Sequence, residues 1–391
     1  QFQVMLRSEF GGMNESLAEM YALTGNEAYL ALARKFHHRA VLDPMKQGRD
    51  ELNGKHANTQ IPKIVGEARI YELTGDAEER RIAGFFWDRV VNHHSYANGG
   101  NSNHELFGFP DRLNDRLGAF TTETCNTYNM LKLTRHLFGW EAKAAYMDYY
   151  ERALYNHILA SQNPDDGMVC YCLPLGSGTE KIFSTPFDAF WCCVGTGLEN
   201  HVKYAESVFF ESVKDKGLFV NLFIPTLLDW KERGMEVRME TRFPAEPKIT
   251  ISFKGKAQRF PLHIRWPEWA AQGMKVRLNG REKAVDGVPG SYVTLNEKWS
   301  DRTTLTVEFP MSVHTVAMPD NPRRAAFFYG PVLLAAPLGE GEVQVYDIPC
   351  FVSENGSATD AVQPVPGEPL HFTARTTVDP QLPLVPFYGL H

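Results

Sequence analysis

From about residue 11 to 211, apolar side chains recur three and four residues apart, the spacing of a helix face; beyond about 212 they alternate, the spacing of a strand. Leu17, Met20, Tyr21 and Leu23 form one helical stripe, closed by Thr24-Gly25-Asn26, and Tyr29, Leu32, Ala33 and Phe36 form the next. The phrase returns about fifty residues later, where Tyr71-Glu72-Leu73-Thr74-Gly75-Asp76 echoes Tyr21-Ala22-Leu23-Thr24-Gly25-Asn26. A helix that ends in Leu-Thr-Gly and turns into another, repeated at a fixed interval, predicts stacked helical hairpins, either an α-solenoid or an (α/α) toroid. A third hairpin is expected at 126–160, through Met130, Leu133, Leu137, Met147, Tyr150, Leu154 and Ile158, and a last helix through Leu198, Val202, Ala205 and Phe209. Only about half of a twelve-helix ring is written, so the expectation is a piece of a longer product.

The alternating half includes 217–225, 248–253, 262–266, 275–280, 292–295 and 304–309, divided by Gly, Pro and Asn turns, which reads as a β-sandwich. The expected domains are a helical part at 1–211, a sandwich at 212–337, and at 338–391 a linker with the start of an incomplete further β-domain.

Composition narrows the function classes. A net charge of −7 offers no basic surface to nucleic acid or an anionic membrane. No apolar run reaches the roughly eighteen residues a membrane span needs. The N-terminus shows neither a start Met nor a signal peptide. A periplasmic or secreted bacterial location, with any leader upstream, is the expectation, and a cytoplasmic one the alternative. Of six cysteines, five fall between 125 and 193, which points to a local site rather than a disulfide framework.

The centre of that site is Phe190-Trp191-Cys192-Cys193-Val194-Gly195-Thr196-Gly197-Leu198-Glu199. Thr196 and Glu199 are spaced as a capping box, which would set the vicinal thiols just ahead of a helix start, where its dipole favours thiolate. With Glu123 and Cys125 the pair makes a three-thiol, one-carboxylate donor set suited to Zn²⁺. A vicinal disulfide and inert buried thiols are the alternatives, and spacing alone does not decide between a structural and a reactive metal. Glu105, in the polar loop Asn98-Gly99-Gly100-Asn101-Ser102-Asn103-His104-Glu105, is a candidate general acid. Glu15 and His56 stand in loops ahead of helices on one expected rim; Glu151, Asn156 and His157 are candidates to line the same cleft. In Cys170-Tyr171-Cys172, alternation turns Tyr171 away from its neighbours.

These motifs together resemble the β-L-arabinofuranosidases of glycoside hydrolase families 127 and 146, more closely the second. The matching stretches are Glu-Phe-Gly-Gly-Met-Asn-Glu (9–15), His-Ala-Asn-Thr-Gln-Ile-Pro-Lys (56–63), Gly-Gly-Asn-Ser-Asn-His-Glu-Leu-Phe (99–107), Thr-Glu-Thr-Cys-Asn (122–126), Tyr-Glu-Arg-Ala-Leu-Tyr-Asn-His-Ile-Leu (150–159) and the run 184–201 around the cysteine pair. The resemblance implies an (α/α)6 barrel, here N-terminally incomplete, followed by β-sandwich domains. It implies zinc held by Glu123, Cys125, Cys192 and Cys193, with Cys192 as nucleophile and Glu105 as acid/base. Sugar contacts are implied for His56, Glu151, Tyr171 and Glu15, and an arabinofuranoside-containing plant glycan as substrate. Two other readings stay open: a metal-free carbohydrate lyase or epimerase using Tyr171 and His56, and a non-catalytic glycan-binding protein with structural zinc.

Overall fold

The structure, a computed structural model, describes residues 1–8, 10–339, 343–344, 347–353 and 356–390. Glu9, which opens the first matching motif, and part of the expected 338–391 segment therefore lie outside the described residues. The first half is helical: α1 (Phe2–Met5), α2 (Met13–Thr24), α3 (Glu27–Lys35), α4 (Arg39–Lys46), α5 (Ala57–Thr74), α6 (Ala77–Arg89), α7 (Thr124–Trp140), α8 (Ala144–Ala153) and α9 (Cys192–Lys203). None of the described helices is long and apolar enough to cross a membrane.

The repeated Leu-Thr-Gly phrase builds the same corner twice. Gly25 and Gly75 close α2 and α5 at φ 68° and 74°, left-handed values that glycine adopts without a Cβ penalty. The Thr24 and Thr74 hydroxyls bond back to the carbonyls of Met20 and Ile70 and accept from the N–H of Asn26 and Asp76. Asn26 and Asp76 then cap α3 and α6 by accepting from Ala28 and Glu78. Equal corners give equal hairpins, and α2 packs against α5.

Two π-helical turns, Val90–His94 and Leu154–Ile158, end α6 and α8 and release the chain into the loops that carry the site. The buried side chains of α5 to α8 are continuous with the inner faces of two sheets, so helices and sandwich share one core.

One sheet has the order β1 (Phe209–Glu211), β2 (Leu218–Val220), β6 (Gln258–Trp266), β9 (Ser291–Trp299), with β2 and β6 parallel. The other has the order β3 (Thr226–Trp230), β4 (Met235–Thr241), β5 (Lys248–Gly255), β10 (Thr304–Glu308), β7 (Lys275–Leu278), β8 (Arg281–Lys283). Ile249, Ile251 and Phe253 of β5 alternate inward, and buried Trp299 stacks on Phe253 at 4.7 Å while donating to the Phe260 carbonyl.

A third sheet orders β11 (Val313–Met318), β12 (Asn321–Tyr329), β13 (Val332–Ala335), β16 (Leu382–Pro386), β15 (Phe372–Ala374), β14 (Val362–Pro364) around its own core of Phe327, Leu334, Phe372 and Leu384. The expected boundary at 337 thus cuts a sheet: β11, β12 and β13 pair in succession, and β13 pairs with β16, Leu334 facing Pro386. Alternation alone names no partner strand, which is why the local pattern placed them with the sandwich.

Candidate active site

Four extended stretches lie side by side at one end of the helices. Residues 54–57 bond to 105–107, through Ala57 N–H to the Glu105 carbonyl (2.7 Å) and Phe107 N–H to the Lys55 carbonyl (3.0 Å). His104 and Thr122 N–H donate across to Phe120 and Ser102, and Thr124 and Leu173 N–H pair the next stretch with 171–173. Side chains that the sequence holds far apart are thereby brought to one spot.

Glu105 stands at the tip of a two-residue turn. Asn103 and Leu106 exchange both backbone bonds at 3.1 Å, and the intervening His104 and Glu105 have φ of 47° and 65°. Two positive φ values in succession mark a type I′ turn, which ordinarily takes Asn-Gly. An L-residue there costs about 1–2 kcal/mol, and non-glycine strain of this kind gathers at functional sites. The Tyr171 hydroxyl donates to Glu105 Oε1. His56 Nε2 lies 3.3 Å from Oε2. His56 caps α5, its Nδ1 accepting the Thr59 N–H at 3.3 Å, which leaves the ring proton on Nε2, facing Glu105.

Beside this pair, two helices begin at the same point. Glu123 is the N-cap residue of α7 and Cys125 lies in its first turn; Cys192 and Cys193 are the first two residues of α9. Cys125 Sγ is 3.2 Å from Cys193 Sγ, and Cys192 Sγ is 3.9 Å from Cys193 Sγ and 4.0 Å from Glu123 Oε1. All four ligand atoms fall within 4.8 Å of one another. The expected capping box is not formed: α9 starts four residues before Thr196, whose hydroxyl instead meets Cys125 Sγ at 2.9 Å. Sulfur separations of this size exclude the vicinal disulfide, which needs about 2.05 Å, and the cysteines are free.

The three thiols are not equivalent. Cys125 and Cys193 are buried and Cys192 is exposed. The Cys192 thiol is drawn down to about 2, first by donation from Cys125, then from Cys193, with the Cys193 N–H adding to it; the Tyr171 hydroxyl, whose proton goes to Glu105, lies 3.9 Å away. Donation to their neighbours pushes the Cys125 and Cys193 thiols up. Burial, and then the Glu105 carboxylate, push the Tyr171 hydroxyl up, keeping it a donor.

Not every expected residue is here. Glu151 is buried on α8, where it accepts from Arg265 at 2.5 Å and from the Trp269 indole at 2.8 Å. Asn156 bonds to the main chain of Pro331 and Leu333, and His157 to Thr127. These three join helices to sheets or to one another rather than line a cleft. Glu15 pairs with Lys132 at 2.9 Å, among the helices. Thr196 was expected only as a cap; its contact with Cys125, 71 positions away, is one that motif spacing does not reveal.

Residues 1–206 match the family model for the β-L-arabinofuranosidase GH127 catalytic domain, more than half of the chain. The chain belongs to the GH127 family. The GH127 middle-domain model follows at 217–311. The non-reducing end β-L-arabinofuranosidase of Bifidobacterium longum is 24% identical over 296 residues, 70% of this chain and 44% of that protein. The chain thus spans less than half of that relative's length. A solved GH127 β-arabinofuranosidase superposes with a TM-score of 0.77 at 21% identity, covering 96% of this chain and 66% of the other. A GH127 β-L-arabinofuranosidase from Geobacillus stearothermophilus T6 gives 0.70 at 18%, covering 96% and 69%. These GH127 structures share the fold, mixed helical and β.

Proposed function

We propose that this chain carries the catalytic centre of a retaining glycosidase that releases L-arabinofuranose from β-L-arabinofuranosides of plant glycans, with Cys192 as nucleophile and Glu105 as acid/base. The observation that carries the reading is the asymmetry of the thiols: one exposed sulfur 3.9 Å from the Tyr171 hydroxyl, which itself donates to Glu105, and two buried sulfurs behind it. The hairpins α2–α3, α5–α6 and α7–α8 support part of an (α/α)6 barrel, and the motif set supports a place near the family 146 enzymes.

Zinc fits the donor set. Tetrahedral coordination with Zn–S near 2.3 Å calls for sulfurs about 3.8 Å apart, and the spacings here are 3.2 and 3.9 Å with a buried carboxylate beside them. Glu123, Cys125, Cys192 and Cys193 would hold the ion, which supplies positive charge that keeps thiols deprotonated. The convergent N-termini of α7 and α9 favour negative charge at the same spot.

In the first step the Cys192 sulfur attacks the anomeric carbon while the Glu105 carboxyl protonates the departing oxygen, so a C–S bond forms as the C–O bond breaks. In the second, Glu105 takes a proton from water, whose oxygen displaces the sulfur and restores the thiolate. Two displacements at one carbon retain configuration. Tyr171, bonded to Glu105 and near Cys192, orients both groups, and His56 steadies the other carboxylate oxygen.

The test is hydrolysis of a p-nitrophenyl β-L-arabinofuranoside, with anomeric configuration followed by NMR and zinc measured on the same sample. Expected are a retained product, one zinc per chain, and a kcat loss of at least about 10³-fold in Cys192→Ser, given the size of nucleophile losses in general. A normally active Cys192→Ser, or an inverted product, refutes the assignment.

A further inference from the structure

Glu105 is held in its turn by a residue that neither the motifs nor the thiol cluster point to. The Arg116 guanidinium donates through Nη2 to the carbonyls of Asn103 (3.4 Å) and Leu106 (3.2 Å). Those are the same two carbonyls that close the type I′ turn around His104 and Glu105. The main chain of Arg116 grips the turn too, its carbonyl accepting from the Asn103 amide and from the Tyr96 hydroxyl at 3.3 Å. Room for the side chain comes from Gly108, where a Cβ would sit 2.7 Å from Arg116 Cδ and Nε.

Arg116 is in turn fixed from the far side. Two residues earlier, Asn114 N–H donates to Asp320 at 3.1 Å, its side-chain oxygen accepts from Asn321 at 2.9 Å, and its carbonyl accepts from Arg324 at 3.0 Å. Asp320, Asn321 and Arg324 belong to the β11–β12 hairpin of the third sheet. A polar chain of contacts therefore runs from that sheet, through Asn114 and Arg116, to both shoulders of the turn that presents Glu105.

We propose that Arg116 is a positioning residue that clamps the strained Glu105 turn, and that the β11–β12 hairpin of the third sheet holds the clamp. A turn built on two non-glycine residues at positive φ needs its surroundings to enforce it, and a donor shared by its two closing carbonyls does so at the smallest leverage. The mechanical part of the proposal is independent of chemistry. Its kinetic consequence rests on Glu105 being the acid/base of the proposed reaction.

The experiment compares wild type, Arg116→Met, Arg116→Lys and Asp320→Ala by amide hydrogen exchange over residues 103–107 and by kcat/KM on β-L-arabinofuranosides of graded leaving-group ability. Expected are exchange at Leu106 at least tenfold faster in Arg116→Met, a smaller change of the same sign in Asp320→Ala, and partial recovery in Arg116→Lys. For the poorest leaving groups kcat/KM should fall on the order of 10–100-fold, the penalty of a misplaced catalytic group. Dinitrophenyl glycosides, which need little protonation, should be nearly spared. Unchanged exchange in Arg116→Met, or in Asp320→Ala should the first variant not fold, overturns the clamp. Faster exchange with an equal loss for every leaving group sustains the clamp and overturns the role of Glu105 as acid.

Discussion

Replacing Arg265 with Met tests how the helices are joined to the sandwich. Arg265 on β6 is fully buried; it donates to Asp148 and Glu151 of α8 at 2.5 Å each and to the Asn221 carbonyl at 2.7 Å. Two carboxylates and one guanidinium leave the buried group one negative charge in excess, and removing the cation strands both acids. Breaking a buried pair from one side costs about 3–5 kcal/mol, a large part of a typical stability of roughly 5–15 kcal/mol. At about 2 °C per kcal/mol, the low end suited to a long chain, the midpoint of thermal unfolding should fall by about 6–10 °C. The loss should depend on pH with a definite sign. Burial already pushes Asp148 up to about 6 against the pull of Arg265. Without Arg265 its folded-state value rises further above the unfolded one, so stability persists in acid and is lost as pH rises through and beyond 6. Scanning calorimetry at pH 5 and pH 8 should find the larger deficit at pH 8. The neutral triple variant Arg265→Met, Asp148→Asn, Glu151→Gln should recover much of it, because no charge is then buried. An equal deficit at both pH values, or a triple variant no better than the single, refutes the reasoning.

Thr196→Val removes the hydroxyl that meets Cys125 Sγ; zinc affinity, read by competition with a chelator, should weaken about 10–100-fold, and Thr196→Ser should restore it. The Glu67 carboxyl, buried on α5, is pushed up to about 8 by burial and then by Glu79, against a hydrogen bond from Asn14. A folded-state value above the unfolded one means stability is greatest below the ordinary carboxyl range and is lost as pH rises through 8. Unfolding midpoints measured from pH 5 to 9 should therefore decline in the wild type and decline less in Glu67→Gln.

What could be read from the chain beforehand was mostly what neighbours in sequence decide. The Thr-Gly corners after α2 and α5 are written in six consecutive residues, and each strand of the sandwich carries its own alternation. The start of α9 was misread because Gly195-Thr196-Gly197 has the composition of a helix entry. The helix reaches back to Cys192 with its first turn against α7, where Cys193 meets Cys125, and one turn on Gly197 packs on Val169, from which a Cβ would lie 2.7 Å. Glu151 stands in a stretch that matches the family, yet its partner Arg265 lies 114 positions away, beyond the reach of any local pattern. Arg116 gave no signal at all. A lone arginine in a polar loop acquires meaning only when two carbonyls are seen to share it.

The turn that presents Glu105 also sets a trap for anyone engineering this protein for heat resistance. A survey of backbone geometry would flag His104 and Glu105 as residues in the wrong conformation and suggest glycine, the change that most often relieves such positions. At Glu105 that advice exchanges the carboxylate proposed as acid/base for backbone comfort. Stabilisation has to be sought in the scaffold that bears down on this corner, and the tension left where it is.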